Sequence, residues 1–147
     1  MYQRILVATD DSKLSRKAVK AALELAASVQ AQLVALHVVP RYPTAFFEGA
    51  VALGADDVAR VERQWADKGR AVVDGVARQA EAAGVKARAL VVQSDAVADA
   101  ILAAARKHKA DLIVMASHGR RGLSRVLLGS ETQHVLTHGT TPVLVLR

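Results

Sequence analysis

Between Ala116 and Thr132 the chain reads ASHGRRGLSRVLLGSET, directly after the apolar run DLIVMA at Asp111 to Ala116. Glycines at 119, 122 and 129 let a backbone approach a ligand closely, Ser130 offers a hydroxyl, and a helix starting nearby turns its unpaired amides outward. Arg120, Arg121 and Arg125 add positive potential. These parts suit a cradle for a phosphorylated anion. A plain strand-to-helix turn uses glycines in the same way, and the Arg120–Arg121 pair equally fits a solvated loop. A second polar segment, ATDDS at Ala8 to Ser12, leaves another apolar run with carboxylates and hydroxyls. Asp10 and Asp11 there can meet a magnesium ion through the phosphates of a ligand, because magnesium needs substrate oxygens to complete its shell. The alternative for Asp10 is helix capping.

Much other chemistry is excluded or lacks its parts. There is no GxxxxGK[ST], so no P-loop, and no GxGxxG after the first apolar run, so no ordinary dinucleotide fingerprint. Zero cysteines rule out disulfides, thiolate catalysis and Cys-ligated zinc, and fit a reducing compartment. His118 lies in the glycine-rich segment within reach of a phosphate, yet general acid or base work would need partners that the sequence does not supply. His37, His108, His134 and His138 make no metal-ligand spacing with one another or with a carboxylate. No complete catalytic set is present, so binding is the expected activity, with at most weak hydrolysis of a phosphorylated ligand.

The elements that must position these segments follow from hydrophobic periodicity. RILVAT (Arg4 to Thr9) is a strand buried on both faces, and DDS then caps a helix whose apolar stripe runs through Ala18, Ala21, Ala22, Leu25, Ala26 and Val29. QLVALHVV (Gln32 to Val39) is a second strand closed by Pro40. Residues 41–54 lack periodicity and read as a long, mobile loop. A helix over Ala55 to Ala83 turns Val58, Val61, Trp65, Val72, Val76 and Ala80 inward and stops at Gly84, while Gly69 and Gly75 each weaken it by about 1 kcal/mol relative to alanine. VKARALVV (Val85 to Val92) is a third strand, Ser94 or Asp95 caps a helix that ends in RKHK, DLIVMA is a fourth strand, a helix runs through about Thr137, and PVLVLR (Pro142 to Arg147) is a fifth strand. Strands alternating with helices, each strand nearly continuous in apolar character, imply an α/β fold. It is a three-layer, Rossmann-like arrangement of a five-stranded parallel sheet with helices on both faces, forming one domain over residues 1–147. Ligands of such sheets bind beyond the carboxyl ends of the strands, where both polar segments lie.

Twenty Lys and Arg against 14 Asp and Glu leave a net charge of +6, so anions are favoured partners. Only 3% of residues are aromatic, which gives a nucleic-acid surface little to stack bases on. No apolar run approaches the roughly 20 residues needed to cross a bilayer, and the first strand starts too early to leave room for a leader, so the expected location is cytoplasmic.

At this point the residues match a family. ILVATDDS, ALHVV, ADLIVMASHGRRG and TPVLVLR together make the whole chain resemble the universal stress proteins, specifically the branch that holds ATP with a GxxGx9G[S/T] motif after the fourth strand. Here that motif reads Ala116, Ser117, His118, Gly119, nine residues from Arg120 to Leu128, then Gly129 and Ser130. The first glycine is alanine. If that position needed a positive φ, alanine would cost roughly 1 kcal/mol or more; if it continues an extended strand, one methyl is accommodated. The resemblance implies ATP, with Mg2+ entering on it, as ligand. It implies Ala8, Thr9 and Asp10 beside the adenosine, with the Asp10 carboxylate on a ribose hydroxyl, the Val38 backbone at the adenine edge, and Met115 under the base. It further implies Ala116, Ser117, His118, Gly119, Arg120, Arg121 and Gly122 around ribose and phosphates, with Gly129, Ser130, Glu131 and Thr132 closing from the helix start. For Val38 and Met115, core packing is the rival explanation. A homodimer through the closing strand, Pro142 to Arg147, is implied as well, because an apolar strand at a sheet edge invites its twin. An adenine-nucleotide-using enzyme, or a basic nucleic-acid-binding domain, remains the alternative.

Overall fold

The computed structural model describes residues 1–43, 54–119 and 128–147. In chain order these form β1 (Arg4–Ala8), α1 (Lys13–Val29), β2 (Gln32–Val39), α2 (Ala55–Ala82), β3 (Ala87–Gln93), α3 (Val97–Lys107), β4 (Leu112–Ala116), α4 (Ser130–His138) and β5 (Val143–Leu146). All four strand pairings are parallel, in the order β3-β2-β1-β4-β5. The expected five-stranded α/β sheet is therefore present, and its central strands are the most buried. Every residue of β4 is buried, as are Ile5, Leu6 and Val7 of β1, whereas edge strands β3 and β5 have no fully buried residue.

Alternation along each strand divides the interior into two cores. Ile5, Val7, Leu33, Ala35 and Val114 face α1 and α2, with Ala18, Ala22, Ala26, Val73 and Val76 packed on them. Leu6, Val34, Leu36, Ile113 and Met115 face the other way onto α3 and α4, against Ile101, Leu102, Ala105 and Val135. Small alanines on α1 and α3, Ala18, Ala22 and Ala26 and Ala98, Ala104 and Ala105, supply much of the helix surface packed on the sheet.

Three details correct the sequence reading. The buried stripe of α2 is Gly69, Val73, Val76 and Ala80, so Val73 rather than Val72 is the core residue. Gly69, read as a weakness, is a contact: a β-carbon there would stand 2.6 Å from His37 Cδ2. Its helix-propensity deficit is the condition for seating the imidazole between helix and sheet. Third, α3 is not capped by Ser94 or Asp95. Ser94 Oγ accepts from Ala96 N at 3.1 Å and Asp95 Oδ1 from Arg41 N at 2.9 Å, while the first-turn amide of Ala98 donates to Glu131 Oε2 at 2.8 Å. Capping across space displaced capping along the chain.

α2 ends as expected at Gly84, whose φ of 74° turns the chain so that Val85 N reaches back to Ala80 O at 2.8 Å. That bond delays β3 to Ala87. Most of the expected 41–54 loop, residues 44–53, lies outside the described residues. Before it, Tyr42 stacks on Trp65 with ring centroids 6.1 Å apart, and its amide donates to Glu62 Oε1.

Candidate functional site

The strand order reverses between β1 and β4, so the chain leaves these neighbours toward opposite faces and opens a crevice beyond their carboxyl ends. Both polar segments singled out from sequence begin there.

The β1 side is a turn held by its own side chains. Thr9 is buried and its amide donates to Leu36 O at 2.9 Å, which extends β1 pairing by one residue. Asp11 N donates to Thr9 Oγ1 at 3.1 Å, and the Ser15 hydroxyl donates to Ser12 O at 3.0 Å. The Thr9 hydroxyl must therefore donate to Ser15 Oγ, 3.0 Å away. Ser12 closes the set as the N-cap of α1, accepting from Ser15 N, and its own amide donates to Asp10 Oδ1 at 2.9 Å. Asp11 takes a positive φ of 63°, strained for most residues but tolerated by aspartate, and pairs with Arg16 at 3.0 Å. That hydrogen bond and charge hold the Arg16 guanidinium proton even more tightly than usual.

The β4 side is held by backbone. Ser117 N donates to Leu146 O at 2.7 Å, and Ser117 O accepts from Gly129 N at 2.7 Å, so the two ends of the glycine-rich segment meet. The buried Thr132 hydroxyl donates to Ala116 O at 2.9 Å, pinning the first turn of α4 to the end of β4. Gly129 is extended, with φ −60°, so its lack of a side chain serves proximity: a β-carbon would stand 2.9 Å from Ser117 O and 3.2 Å from His118 Cα. Gly119 is similar on the other flank, where a β-carbon would come within 2.7 Å of Asp10 Oδ2. Ala116 closes β4 in extended conformation and is absent from the positive-φ residues, so its methyl carries no backbone strain.

The fold thus brings Ala8, Thr9, Asp10, Ala116, Ser117, His118, Gly119, Gly129, Ser130 and Thr132 to one crevice. His118 is half-buried with Nδ1 3.3 Å from Ser117 Oγ, and Ser130 is exposed. Val38 and Met115 both pack on the core under α3 and α4, Met115 buried and Val38 half-buried. The Glu131 carboxylate is engaged at the start of α3. Arg120, Arg121, Gly122 and Arg125 lie outside the described residues. Two contributors escaped the sequence reading. Ser15 was hidden in a helical pattern that counts only apolar positions. His37 sends Nδ1 to within 2.8 Å of Thr9 O, and because a carbonyl only accepts, the proton sits on Nδ1. A polar residue interrupting an otherwise apolar strand was the available signal. Among the described residues no cluster of three His, Cys, Asp or Glu side chains could hold a metal.

A doubly wound parallel sheet that gathers two polar turns at its point of reversal defines a Rossmann-like α/β architecture. Within that class, the model of the universal stress protein family matches residues 1–147, and the chain belongs to that family. A universal stress protein of Methanocaldococcus jannaschii is 34% identical over 147 residues, covering all of this chain and 83% of the relative. The universal stress protein UspA from Lactobacillus plantarum superposes with a TM-score of 0.83 at 25% identity, over 99% of this chain and 98% of that one. A universal stress protein solved in complex with cAMP superposes with a TM-score of 0.70 at 28% identity, over 99% of this chain and 97% of that one.

Proposed function

We propose that this chain is an adenine-nucleotide-binding stress protein that takes ATP in the crevice between β1 and β4 and alters a partner surface when loaded. The observation that carries this reading is the start of α4. Among the described residues no side chain caps that helix at Gly129, and the glycine brings its first turn against the end of β4. Unpaired amides at a helix start, with the positive end of the helix dipole behind them, attract phosphate. The relative solved with cAMP supports an adenine nucleotide as ligand class.

In this reading Ala8, Thr9 and Asp10 flank the adenosine, with the Asp10 carboxylate accepting from a ribose hydroxyl. The Val38 backbone meets the adenine edge, Met115 supports the base, and residues 116–122 wrap ribose and phosphates. The hydroxyl of Thr132 and the carboxylate of Glu131 are already engaged at Ala116 O and Ala98 N, so these two residues act through backbone amides. Magnesium would enter on the triphosphate. The extended backbone at Ala116 supports the alanine in place of the motif's first glycine. The test is equilibrium ATP affinity of the wild type and of Gly129→Val, with thermal melting confirming that both are folded. A β-carbon 2.9 Å from Ser117 O must push α4 away, and a misplaced phosphate contact worth about 1.4 kcal/mol already lowers affinity tenfold. Equal affinities would remove the cradle.

The same reading includes a homodimer in the cytoplasm. β5 is an edge strand, paired among the described residues with β4 alone, and Leu144 on it is 40% exposed. Light scattering at high micromolar concentration is expected to give twice the chain mass of 15.6 kDa; a monomer contradicts it. Among the described residues no helix is long and apolar enough to cross a membrane.

A further inference from the structure

The opposite end of the sheet holds a second concentration of charge. At the amino ends of β1, β2 and β3, next to the end of α3, an open recess of about 410 Å³ is lined by Arg4, Lys86, Arg88, Lys107, His108 and Lys109, together with backbone and apolar groups of the strand starts. The volume falls within the roughly 300–1,000 Å³ of small-molecule sites. Five cations meet there and no lining residue is acidic; the chain's whole net excess is only +6. The nearest acid in sequence, Asp111, accepts from the amides of Gln3 and Arg4 at 2.8 and 3.0 Å.

Some of this charge has a local explanation. Lys107 completes the last turn of α3, where cations suit the helix dipole, and Arg4 Nη1 lies 3.4 Å from His108 O. Lys86 and Arg88 blunt the edge strand β3 and bring charge to the recess from a second element, across β2 from that helix end, with Arg88 in register with Val34. Lys109 adopts a positive φ of 54° to end α3, as Gln30 does with 56° after α1, and adds a fifth cation to the lining of the recess.

We infer that this recess is an anion site for a compact oligophosphate, separate from the nucleotide crevice by at least the length of β1, about 13 Å at 3.3 Å per residue. An oligophosphate places several negative charges within the span of one small recess. The recess offers no Phe, Tyr or Trp on which a base could stack, and its five cations favour phosphate groups over bases. The local potential is visible in His108, whose imidazole is held below its ordinary value first by burial and then by Arg88, Lys107 and Arg4. A bound anion relieves that repulsion.

The experiment titrates inorganic tripolyphosphate, by calorimetry, into the wild type, into Gly129→Val, whose nucleotide crevice is spoiled, and into Gly129→Val carrying in addition Lys86→Ala, Arg88→Ala and Lys107→Ala, three exposed side chains. Gly129→Val should keep one site for tripolyphosphate at physiological salt, and the added triple substitution should weaken that remaining binding at least about tenfold. Tripolyphosphate should raise the melting temperature of the first two proteins and not of the third. Four results overturn the inference: binding lost altogether in Gly129→Val, binding unchanged when the three cations are also removed, no binding to the wild type at physiological salt, or a short DNA duplex binding as tightly as tripolyphosphate with the same dependence on the three cations.

Discussion

Two helices begin at the same crevice and begin in opposite ways. α1 starts from a turn that satisfies itself: Ser12 caps it, Thr9 and Ser15 relay hydroxyl hydrogen bonds through it, and Asp10 ties down the Ser12 amide. α4 starts from a glycine with no capping side chain among the described residues, and its first turn is anchored by Gly129 N on Ser117 O, the Thr132 hydroxyl on Ala116 O and the Glu131 carboxylate on Ala98 N. α3, one helix away from the crevice, is capped by Glu131, a residue of α4 itself. The difference bears on the proposed site. In that proposal the helix start whose amides are occupied by its own chain is a structural joint, and the one that is anchored but left uncapped takes the anion.

The comparison can be broken at its anchors, and the largest effect is expected at the buried one. Thr132→Ala leaves Ala116 O buried without its partner, a loss of about 1–3 kcal/mol. The expected outcome is a lower denaturant midpoint with unchanged slope, together with weaker ATP binding because the α4 start drifts. A variant as stable as wild type would show that the latch holds nothing. The caps give the next test. Ser12→Ala should cost about 1 kcal/mol, the usual worth of an N-cap hydroxyl, with ATP affinity nearly unchanged. Glu131→Ala, on an exposed side chain, should cost somewhat less. Hydrogen exchange should place the first loss in α1 and the second in α3, although Glu131 belongs to α4. If Ser12→Ala weakened ATP binding as strongly as Thr132→Ala, the two helix starts would not differ in the way described.

What was legible in advance divides along the same line. The sheet, its order of elements and the two polar turns followed from local pattern: continuous apolar runs such as RILVA and LIVMA are buried on both faces, and a strand of that kind leaves few topologies open. The second strand, Gln32–Val39, has in the structure the bounds its sequence indicates, because Pro40 closes it. What escaped depends on contacts between residues far apart in sequence. Gly69 reads locally as a defect yet seats His37, 32 residues earlier, and Ser94 reads locally as a cap whereas Glu131 takes the α3 amide. Thr132 was singled out for phosphate, and its side chain serves the backbone of β4 instead. No local pattern carries that information, since a threonine in the first turn of a helix reads the same whether its hydroxyl meets a ligand or a carbonyl.

The central claim is that the start of α4 is the phosphate receptor of this fold, and backbone amide chemical shifts recorded during a titration with Mg-ATP test it most directly. The account predicts the largest saturable shifts at the amides of Gly129 to Thr132, with the Ser15 amide, already bonded to Ser12, moving little. Large shifts at Ser15 with none from Gly129 to Thr132 would contradict it.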